Sequence, residues 1–287
     1  MGFIYWIASY PKSGNTWTRA VLTSLITGGI EGNLDRLQET IPDENAGRYY
    51  QPFLNKPIAA ASNAELAQAR PRAHRLMAKN TPNFLLLKTH SMVAIHHGTP
   101  TITFDVTAGA IYLLRNPLDV AVSYSDFRER EIDKTISLMN QSRRELDRPK
   151  YGSYEISGSW SENVASWTKP HDRIVVVRYE ELLADPKTHF GRIVRFLSMN
   201  ATDEQIAKAV EDASFDNLRA AEQGAGFKER PKETKAFFRS GRSGEWRERL
   251  TEAQVAAVVT ANQAQMKRFG YWQDEFDALV RSPAGVT

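Results

Sequence analysis

The feature that most constrains this sequence is a predicted buried strand that leads into a helix through a short polar loop. The apolar run from Phe3 to Ala8 predicts the strand, and Trp17, Val21 and Leu25 recur at helical spacing. The loop between them contains a lysine, a glycine and several hydroxyl side chains. A helix start exposes unpaired backbone N–H groups and the positive end of the helix dipole. The pattern therefore predicts a binding site for an anion such as phosphate.

The order of residues in this loop differs from that of a Walker A loop. A Walker A loop places its lysine directly after the last glycine, followed by a serine or threonine that holds Mg²⁺. Here Lys12 precedes Gly14, and the loop continues through Asn15 and Thr16 to Trp17. The sequence thus predicts a phosphate-binding loop that differs from a Walker A loop in the position of its lysine.

Length and composition exclude several classes of protein. The chain has 287 residues and a net charge of +3, so we expect one α/β domain over residues 1–287. It contains no cysteine, which excludes disulfides, thiolate catalysis and cysteine metal sites, and suits a reducing, cytoplasmic location. No apolar run approaches the roughly 20 residues of a membrane span. No basic block is interleaved with aromatic residues, so we expect no nucleic-acid partner.

Three more buried strands are predicted, and each ends in polar or charged residues. The runs start at Phe84, Ala110 and Ile174, and they end in Lys88-Thr89-His90, in Arg115-Asn116-Pro117 and in Arg178-Tyr179. Helices are expected between and after the strands. This alternation predicts an α/β, P-loop-like three-layer fold with a central parallel sheet flanked by helices. Ligands bind at the carboxyl ends of the strands in such sheets.

Helix starts can be located from capping residues. Asn116 with Pro117, Asp185 with Pro186, Thr202 and Thr251 each precede an apolar pattern of helical spacing. Residues 62–70 are expected to form one more helix. Residues 128–156 are highly charged and are expected to be an exposed segment outside the core. The long stretch 224–236, followed by Phe237 and Phe238, is expected to be a lid over the ligand.

Four stretches occur in the order and rough spacing of the sulfotransferase family. They are the front loop, Lys88 to His90, Arg115 through Ser123, and Phe238 through Gly244. The chain resembles the cytosolic-type enzymes that use 3′-phosphoadenosine 5′-phosphosulfate (PAPS), in a short, bacterial-like form. The resemblance spans nearly the whole chain. It implies transfer of a sulfuryl group to a hydroxyl or amine of a small-molecule acceptor, without a metal, and with adenosine 3′,5′-bisphosphate (PAP) as the nucleotide product.

The resemblance also implies which residues bind the donor. Those expected at the 5′-phosphosulfate are Lys12, Ser13, Gly14, Asn15, Thr16 and Trp17. Those expected at the 3′-phosphate are Arg115, Ser123, Arg239 and the backbone around Gly241, within a loop that includes Phe238 and Ser240. Tyr179 and Phe215 match positions that flank the base. The family commonly has threonine where Asn15 stands and lysine where Ser240 stands, and Arg242 is a candidate to replace that lost charge.

The chemistry requires three roles in the reacting centre. In-line transfer through a loose transition state depends on positioning and on charge stabilisation. Lys12 supplies a charge that can neutralise the leaving oxygen, and Lys88 can stabilise the transferring oxygens. His90 is the expected general base, because the acceptor must lose a proton. The resemblance implies the same role for His90.

The sequence is compatible with several alternatives. A P-loop kinase using ATP and Mg²⁺ shares the strand, loop and helix, and a nucleotide-binding protein without catalysis would need the same phosphate-binding loop. The adjacent pair His96 and His97 has no third ligand in sight, so no metal site is predicted. The family's Lys-x-x-x-Thr-Val dimer motif is not present as such around Lys228 to Ala236. A homodimer is possible, but the sequence does not decide the oligomeric state. The acceptor class is not fixed by the sequence.

Overall fold

The computed structural model of the chain describes residues 2–30, 32–81, 83–169, 173–231 and 234–281. Its strands, in chain order, are β1 (Phe3–Ser9), β2 (Phe84–Thr89), β3 (Ile95–His96), β4 (Thr99–Pro100), β5 (Thr107–Leu114) and β6 (Ile174–Arg178). Its first helices are α1 (Asn15–Thr27), α2 (Arg36–Thr40), α3 (Asn63–Lys79), α4 (Pro117–Arg128), α5 (Ile132–Met139), α6 (Trp160–Trp167) and α7 (Tyr179–Ala184). The later helices are α8 (Pro186–Phe196), α9 (Asp203–Asp212), α10 (Phe215–Ala225), α11 (Trp246–Arg249), α12 (Glu252–Arg268) and α13 (Phe276–Arg281).

The central sheet consists of the four predicted strands, all parallel, in the order β2-β1-β5-β6. Ile7 of β1 lies opposite Lys88 on one side and opposite Ile111 on the other. The carboxyl ends of the strands therefore meet at one edge, where polar residues follow each of them. The short antiparallel hairpin of β3 and β4 was not predicted, because a two-residue strand carries no periodicity.

Helices cover both faces of the sheet, which confirms the predicted three-layer α/β fold. Side chains alternate along β1, so that Ile4, Trp6 and Ala8 belong to one buried core and Ile7 to the other. The first core is shared with α3, α4, α6 and α12, and the second with α1, α8 and α9. Trp160 and Trp167 are buried in the first core.

The predicted helix starts are confirmed. The Asn116 side chain accepts a hydrogen bond from the Leu118 N–H (3.0 Å), and Asp185, Thr202 and Thr251 cap the helices that follow them. Helix α3 begins after Ser62 but continues past Pro71 to Lys79, beyond the predicted end. Among the described residues, no helix is long and apolar enough to cross a membrane.

The predicted exposure of residues 128–156 is wrong for much of the segment. Ile136 and Met139 of α5, and Tyr154 and Ile156 after it, are buried in the first core. Their charged neighbours obscured the apolar pattern in the sequence. The segment folds back on itself, since the Leu146 N–H donates to the Glu155 carbonyl (2.9 Å) and thus forms a wall beside the sheet edge.

The stretch predicted as a lid is held by ion pairs, although residues 232 and 233 lie outside the described part of the chain. Its first residues, 224 and 225, belong to the end of α10. The fully buried guanidinium of Arg19 contacts the Glu229 carboxylate at 2.8 Å. The Lys228 amine lies 2.7 Å from Asp35. This loop is thereby fixed to α1 and to the residue that precedes α2.

Candidate active site

A cavity of about 870 Å³ opens at the carboxyl edge of the sheet. Lining residues follow the ends of β1, β2, β5 and β6, as the parallel topology requires. Fifteen of the sixteen residues expected at the site line this cavity, namely Lys12, Gly14, Asn15, Thr16, Trp17, Lys88, His90, Arg115, Ser123, Tyr179, Phe215, Phe238, Arg239, Ser240 and Gly241. Ser13, within the front loop, is fully buried, and its hydroxyl has no hydrogen-bond partner within the described structure.

The front loop bends sharply at Gly14, immediately before α1. Gly14 has a φ of 97°, in the left-handed region, and a Cβ atom there would lie 2.8 Å from Cδ2 of Tyr179. Only glycine meets both requirements at low cost. The close approach places the free amino end of α1 beside the end of β6, so that its N–H groups face the cavity edge as an anion site does.

Lys12 lies in an environment that disfavours its charge. Its Nζ is 4.1 Å from the ring centroid of Phe127 and 4.3 Å from that of Phe237. Burial, with repulsion from Arg115 added, lowers the pKa of the Lys12 amine to about 7. The aromatic faces favour a cation, but they do not replace the lost water. An incoming anion would therefore be bound strongly by the protonated amine.

Asn15 connects the loop to the sheet. Its Nδ2 donates to the Ile7 carbonyl at 2.9 Å and contacts the Ser9 hydroxyl at 3.2 Å. The same hydroxyl lies 3.2 Å from Nδ1 of His90. A threonine has no amide to bridge these groups, so the Asn15 departure from the family pattern has a structural consequence. It ties the front loop to the residue expected to act as base.

His90 is held from three directions. Its Nδ1 lies 2.9 Å from the Ser9 carbonyl oxygen, which can only accept, so Nδ1 carries the proton and Nε2 is the free basic nitrogen. Its backbone N–H donates to Glu155 (2.6 Å), and its carbonyl accepts from Asn163 (3.0 Å). Burial, with repulsion from Lys88, lowers the pKa of His90 to about 3. The imidazole is therefore neutral at physiological pH.

Two carboxylates near His90 were missed by the sequence reasoning. Asp43 contacts the Lys88 amine at 3.0 Å, and although burial opposes it, this partner raises the pKa of Lys88 above its usual value. Burial, with repulsion from Glu44 and Asp43, raises the pKa of Glu155 to about 7. Both residues lie in segments without a periodic pattern, so no local signal could have identified them. Lys88 thus reaches the cavity as half of an ion pair rather than as a free charge.

The arginines expected at the 3′-phosphate are already engaged. Arg115 donates to the carbonyls of Lys12 (3.0 Å) and Arg242 (2.9 Å), and its guanidinium lies 4.4 Å from the centre of the Tyr179 ring. Arg239 contacts Asp126 at 2.8 Å and Glu245 at 2.7 Å. Arg115 therefore joins the front loop to the last loop. Arg239 would share its charge between these carboxylates and a bound anion.

The remaining positions form an aromatic wall. A Cβ atom on Gly241, which has a φ of 66°, would lie 2.5 Å from Cδ2 of Phe215, so glycine allows the last loop to touch this ring. Trp17 packs edge-on against Tyr179 with ring centroids 6.0 Å apart.

The Arg242 guanidinium contacts Glu245 at 3.2 Å and the Ser240 hydroxyl at 3.4 Å. It lies beside Ser240, the position whose charge it was expected to replace.

Comparison with known proteins agrees with this geometry. The family described as sulfotransferase domain matches residues 5–270. Sulfotransferase 1B1 of the dog is 28% identical over 262 residues, covering 86% of this chain and 78% of the relative. The amine sulfotransferase of the rabbit is 25% identical over 274 residues, covering 92% of this chain and 80% of the relative.

Solved structures show the same fold. A mouse sulfotransferase complexed with PAP superposes with a TM-score of 0.62 at 20% identity, covering 96% of this chain and 87% of that one. Retinol dehydratase in complex with androsterone and PAP also superposes with a TM-score of 0.62 at 20% identity, covering 92% of this chain and 80% of that one. Since the family match extends over nearly the whole chain and includes every residue of the cavity named above, this protein belongs to the sulfotransferase domain family and is a sulfotransferase.

Proposed function

We propose that this enzyme transfers a sulfuryl group from PAPS to a hydroxyl or amine of a small acceptor, with His90 as general base. The observation that carries the proposal is the shared cavity. The amino end of α1 with Lys12, and the free Nε2 of His90, belong to neighbouring strand ends and line one space. Donor and acceptor would meet between them, as in-line transfer requires.

The residues present fit PAPS. The Ser13 hydroxyl, the indole nitrogen of Trp17 and Nε of Arg115 are buried polar atoms without a partner within the described structure. Unpaired buried polar atoms are costly, so a ligand that satisfies them is stabilised. Two structural relatives were solved with PAP. We therefore assign the 5′ end of the nucleotide to the front loop and the 3′-phosphate to Arg115, Ser123 and Arg239.

Bound PAPS would supply the activated sulfuryl group and leave as PAP. Lys12, the only lysine of the front loop, would neutralise the charge that develops on the leaving phosphate oxygen. Lys88 would stabilise the transferring oxygens, with Asp43 holding the amine in place. The α1 amino end adds backbone N–H groups and its dipole to the same end of the cavity.

His90 would accept the acceptor's proton on Nε2. The neutral form is the one that accepts, and the low pKa keeps it populated across the physiological range. As the ring becomes positive, the bond from Nδ1–H to the Ser9 carbonyl becomes charge-assisted and therefore stronger. This bond also fixes the ring orientation, so that the free nitrogen cannot turn away.

The acceptor pocket is assigned to the wall formed by the 42–48 and 146–155 segments, beside His90. Androsterone and retinol occupy solved complexes of retinol dehydratase, and one relative is an amine sulfotransferase. A hydroxyl or an amine on a small, largely apolar molecule is thus the acceptor class we propose for this chain.

Thermal unfolding with nucleotides tests the donor assignment. PAP at about 100 times its Kd should add about 2.7 kcal/mol of stability, or roughly 5 °C in Tm for a chain of this size. ADP and ATP should give smaller shifts, and Mg²⁺ should change none of them. A shift produced only by ATP with Mg²⁺ would favour the kinase hypothesis instead.

Two variants separate donor binding from catalysis. Arg115→Ala should weaken PAP more than adenosine 5′-monophosphate, because only PAP carries the 3′-phosphate. Equal losses for both nucleotides would remove Arg115 from that role. His90→Ala should keep the PAP shift and lose turnover with PAPS by about 10²-fold or more, the usual size of a general-base contribution. Retention of a tenth of the activity would exclude His90 as base.

A further inference from the structure

The adjacent histidines His96 and His97 acquire a third potential ligand through the fold. Glu145 comes from a segment 48 residues further along the chain, and its Oε1 lies 3.4 Å from Nε2 of His96. One nitrogen from each histidine and one oxygen of Glu145 all lie within 4.8 Å of one another. The sequence alone gave no indication of this convergence, because only the folding of residues 140–156 over the β3–β4 hairpin produces it.

The spacing of these atoms suits a tetrahedral metal ion. Metal–ligand bonds of about 2.0–2.2 Å at a tetrahedral centre place neighbouring ligand atoms about 3.3–3.5 Å apart. His96 and Glu145 already have this separation. His97 is exposed, so its ring can close the remaining gap by rotating, a movement of at most about 1.5 Å at the ligand atom for these bond lengths.

Two of the three ligand side chains, His96 and Glu145, are oriented by a second group, as metal ligands usually are. The Tyr154 hydroxyl contacts Nδ1 of His96 at 3.1 Å, which leaves Nε2 for the metal. Asn63 donates to the other oxygen of Glu145 at 2.7 Å. Gln68 donates to the His97 carbonyl at 3.0 Å and steadies a turn in which His97 has a φ of 46°.

The charge around the cluster is mixed. Glu145 brings one negative charge to the two imidazoles. Arg143 donates to the Ile95 carbonyl at 2.7 Å, and its positive charge opposes a dication nearby. The Glu145 carboxylate offsets that charge. Two imidazoles and one carboxylate form the donor set of zinc sites that keep an open position for water.

We propose that His96, His97 and Glu145 bind a borderline divalent metal ion such as Zn²⁺ at the protein surface. The ion would join the β3–β4 hairpin to the segment that walls the active-site cavity. Glu145 is paired with Ile156 in an isolated antiparallel bridge, and the adjacent Leu146 and Glu155 line that cavity. The bound ion would take no part in the reaction. It would hold the segment that forms one wall of the cavity against the β3–β4 hairpin.

Titration of the chelator-treated full chain with Zn²⁺, and with Co²⁺ as a spectroscopic probe, tests the proposal. We expect one ion per chain, a tetrahedral Co²⁺ spectrum and a higher Tm with Zn²⁺. His97→Ala and Glu145→Gln should each weaken Zn²⁺ binding at least tenfold. Asn63→Ala, which removes only the orienting bond to Glu145, should weaken it less than either ligand variant.

His189→Ala is the matched control, because this half-buried histidine lies outside the cluster and should leave the affinity unchanged. The PAP-induced Tm shift of every variant checks that it is folded. Zn²⁺ binding that is absent in the wild type, or that is unchanged in both His97→Ala and Glu145→Gln, would overturn the proposal. Equal binding of Mg²⁺ and Zn²⁺ would also overturn it, because imidazole ligands select against Mg²⁺.

Discussion

Lys12 should take up a proton when the nucleotide binds. In the free chain its amine lies over the rings of Phe127 and Phe237, and burial lowers its pKa to about 7. A bound phosphate brings an opposite charge and raises that pKa again. The proposed donor should therefore bind the protonated form of Lys12 preferentially.

The size of the effect follows from the lowered pKa. With a pKa of about 7, about nine in ten Lys12 side chains are neutral at pH 8 and about one in ten at pH 6. Binding of PAP should therefore take up about 0.9 proton at this residue at pH 8. Because the protonated form binds best, the affinity should fall as the pH rises above 7. The loss is about tenfold between pH 6 and pH 8, or about 1.4 kcal/mol.

Isothermal titration of PAP in two buffers of different ionisation enthalpy measures this uptake. Lys12→Arg is the matched control, because a guanidinium stays charged throughout the range. The nucleotide phosphates, whose second pKa is about 6, contribute equally in both proteins. The difference between wild type and Lys12→Arg therefore isolates Lys12.

The same uptake in wild type and Lys12→Arg at pH 8 would refute the reasoning, because Lys12 would then be protonated before binding. If arginine does not fit against the two rings, Lys12→Met provides the second comparison. It should bind PAP more weakly, and residue 12 should contribute no proton uptake.

Three further perturbations follow from the contacts around the cavity. Ser9→Ala removes a hydroxyl that contacts both Asn15 and His90, and at about 1 kcal/mol per hydrogen bond it should lower kcat about fivefold while PAP affinity is kept; an unchanged kcat would contradict a positioning role. Glu155→Gln should raise Tm more at pH 8 than at pH 5. Because the pKa of Glu155 is raised, stability that the wild type has at low pH is lost as the pH rises through about 7. A Tm difference between Glu155→Gln and wild type that is the same at both pH values would count against this. Glu229→Ala leaves Arg19 buried without its partner and should cost about 3–5 kcal/mol in chemical denaturation. Asp105→Ala, which breaks the exposed pair with Arg75, is the control and should cost less than about 1 kcal/mol.

Much of the fold could be predicted from the sequence, because its determinants are local and periodic. The four central strands are apolar runs that contribute to the cores on both faces of the sheet, and each is bounded by polar residues. Helix starts at Asn116, Asp185, Thr202 and Thr251 follow from side chains that bond to the next turn. The missed elements, such as α5 and the β3–β4 hairpin, are short or masked by charge, so their stability comes from tertiary packing.

Many of the residues expected at the site line one cavity for the same reason, since they belong to motifs that follow strand ends. Phe215 and the loop from Phe238 to Gly241 follow helices instead, and only the family resemblance indicated them. Parallel topology then brings strand ends together without further information. The motifs could not show the protonation states, which depend on burial and on partners distant in sequence. Lys12 and His90 have lowered pKa values because folding removes water from them, and Lys88 is paired because Asp43 approaches it.

The sequence by itself determined the strand and helix pattern, the anion loop and the family to which the chain belongs. Only the tertiary structure decided that Asn15, Ser9 and His90 form one network, that Glu155 and Asp43 enter the cavity, and that Glu145 meets His96 and His97. The physical reason is the range of the interactions. Periodicity and capping act over a few residues, whereas charge pairing and desolvation depend on neighbours that only the folded chain brings within contact distance.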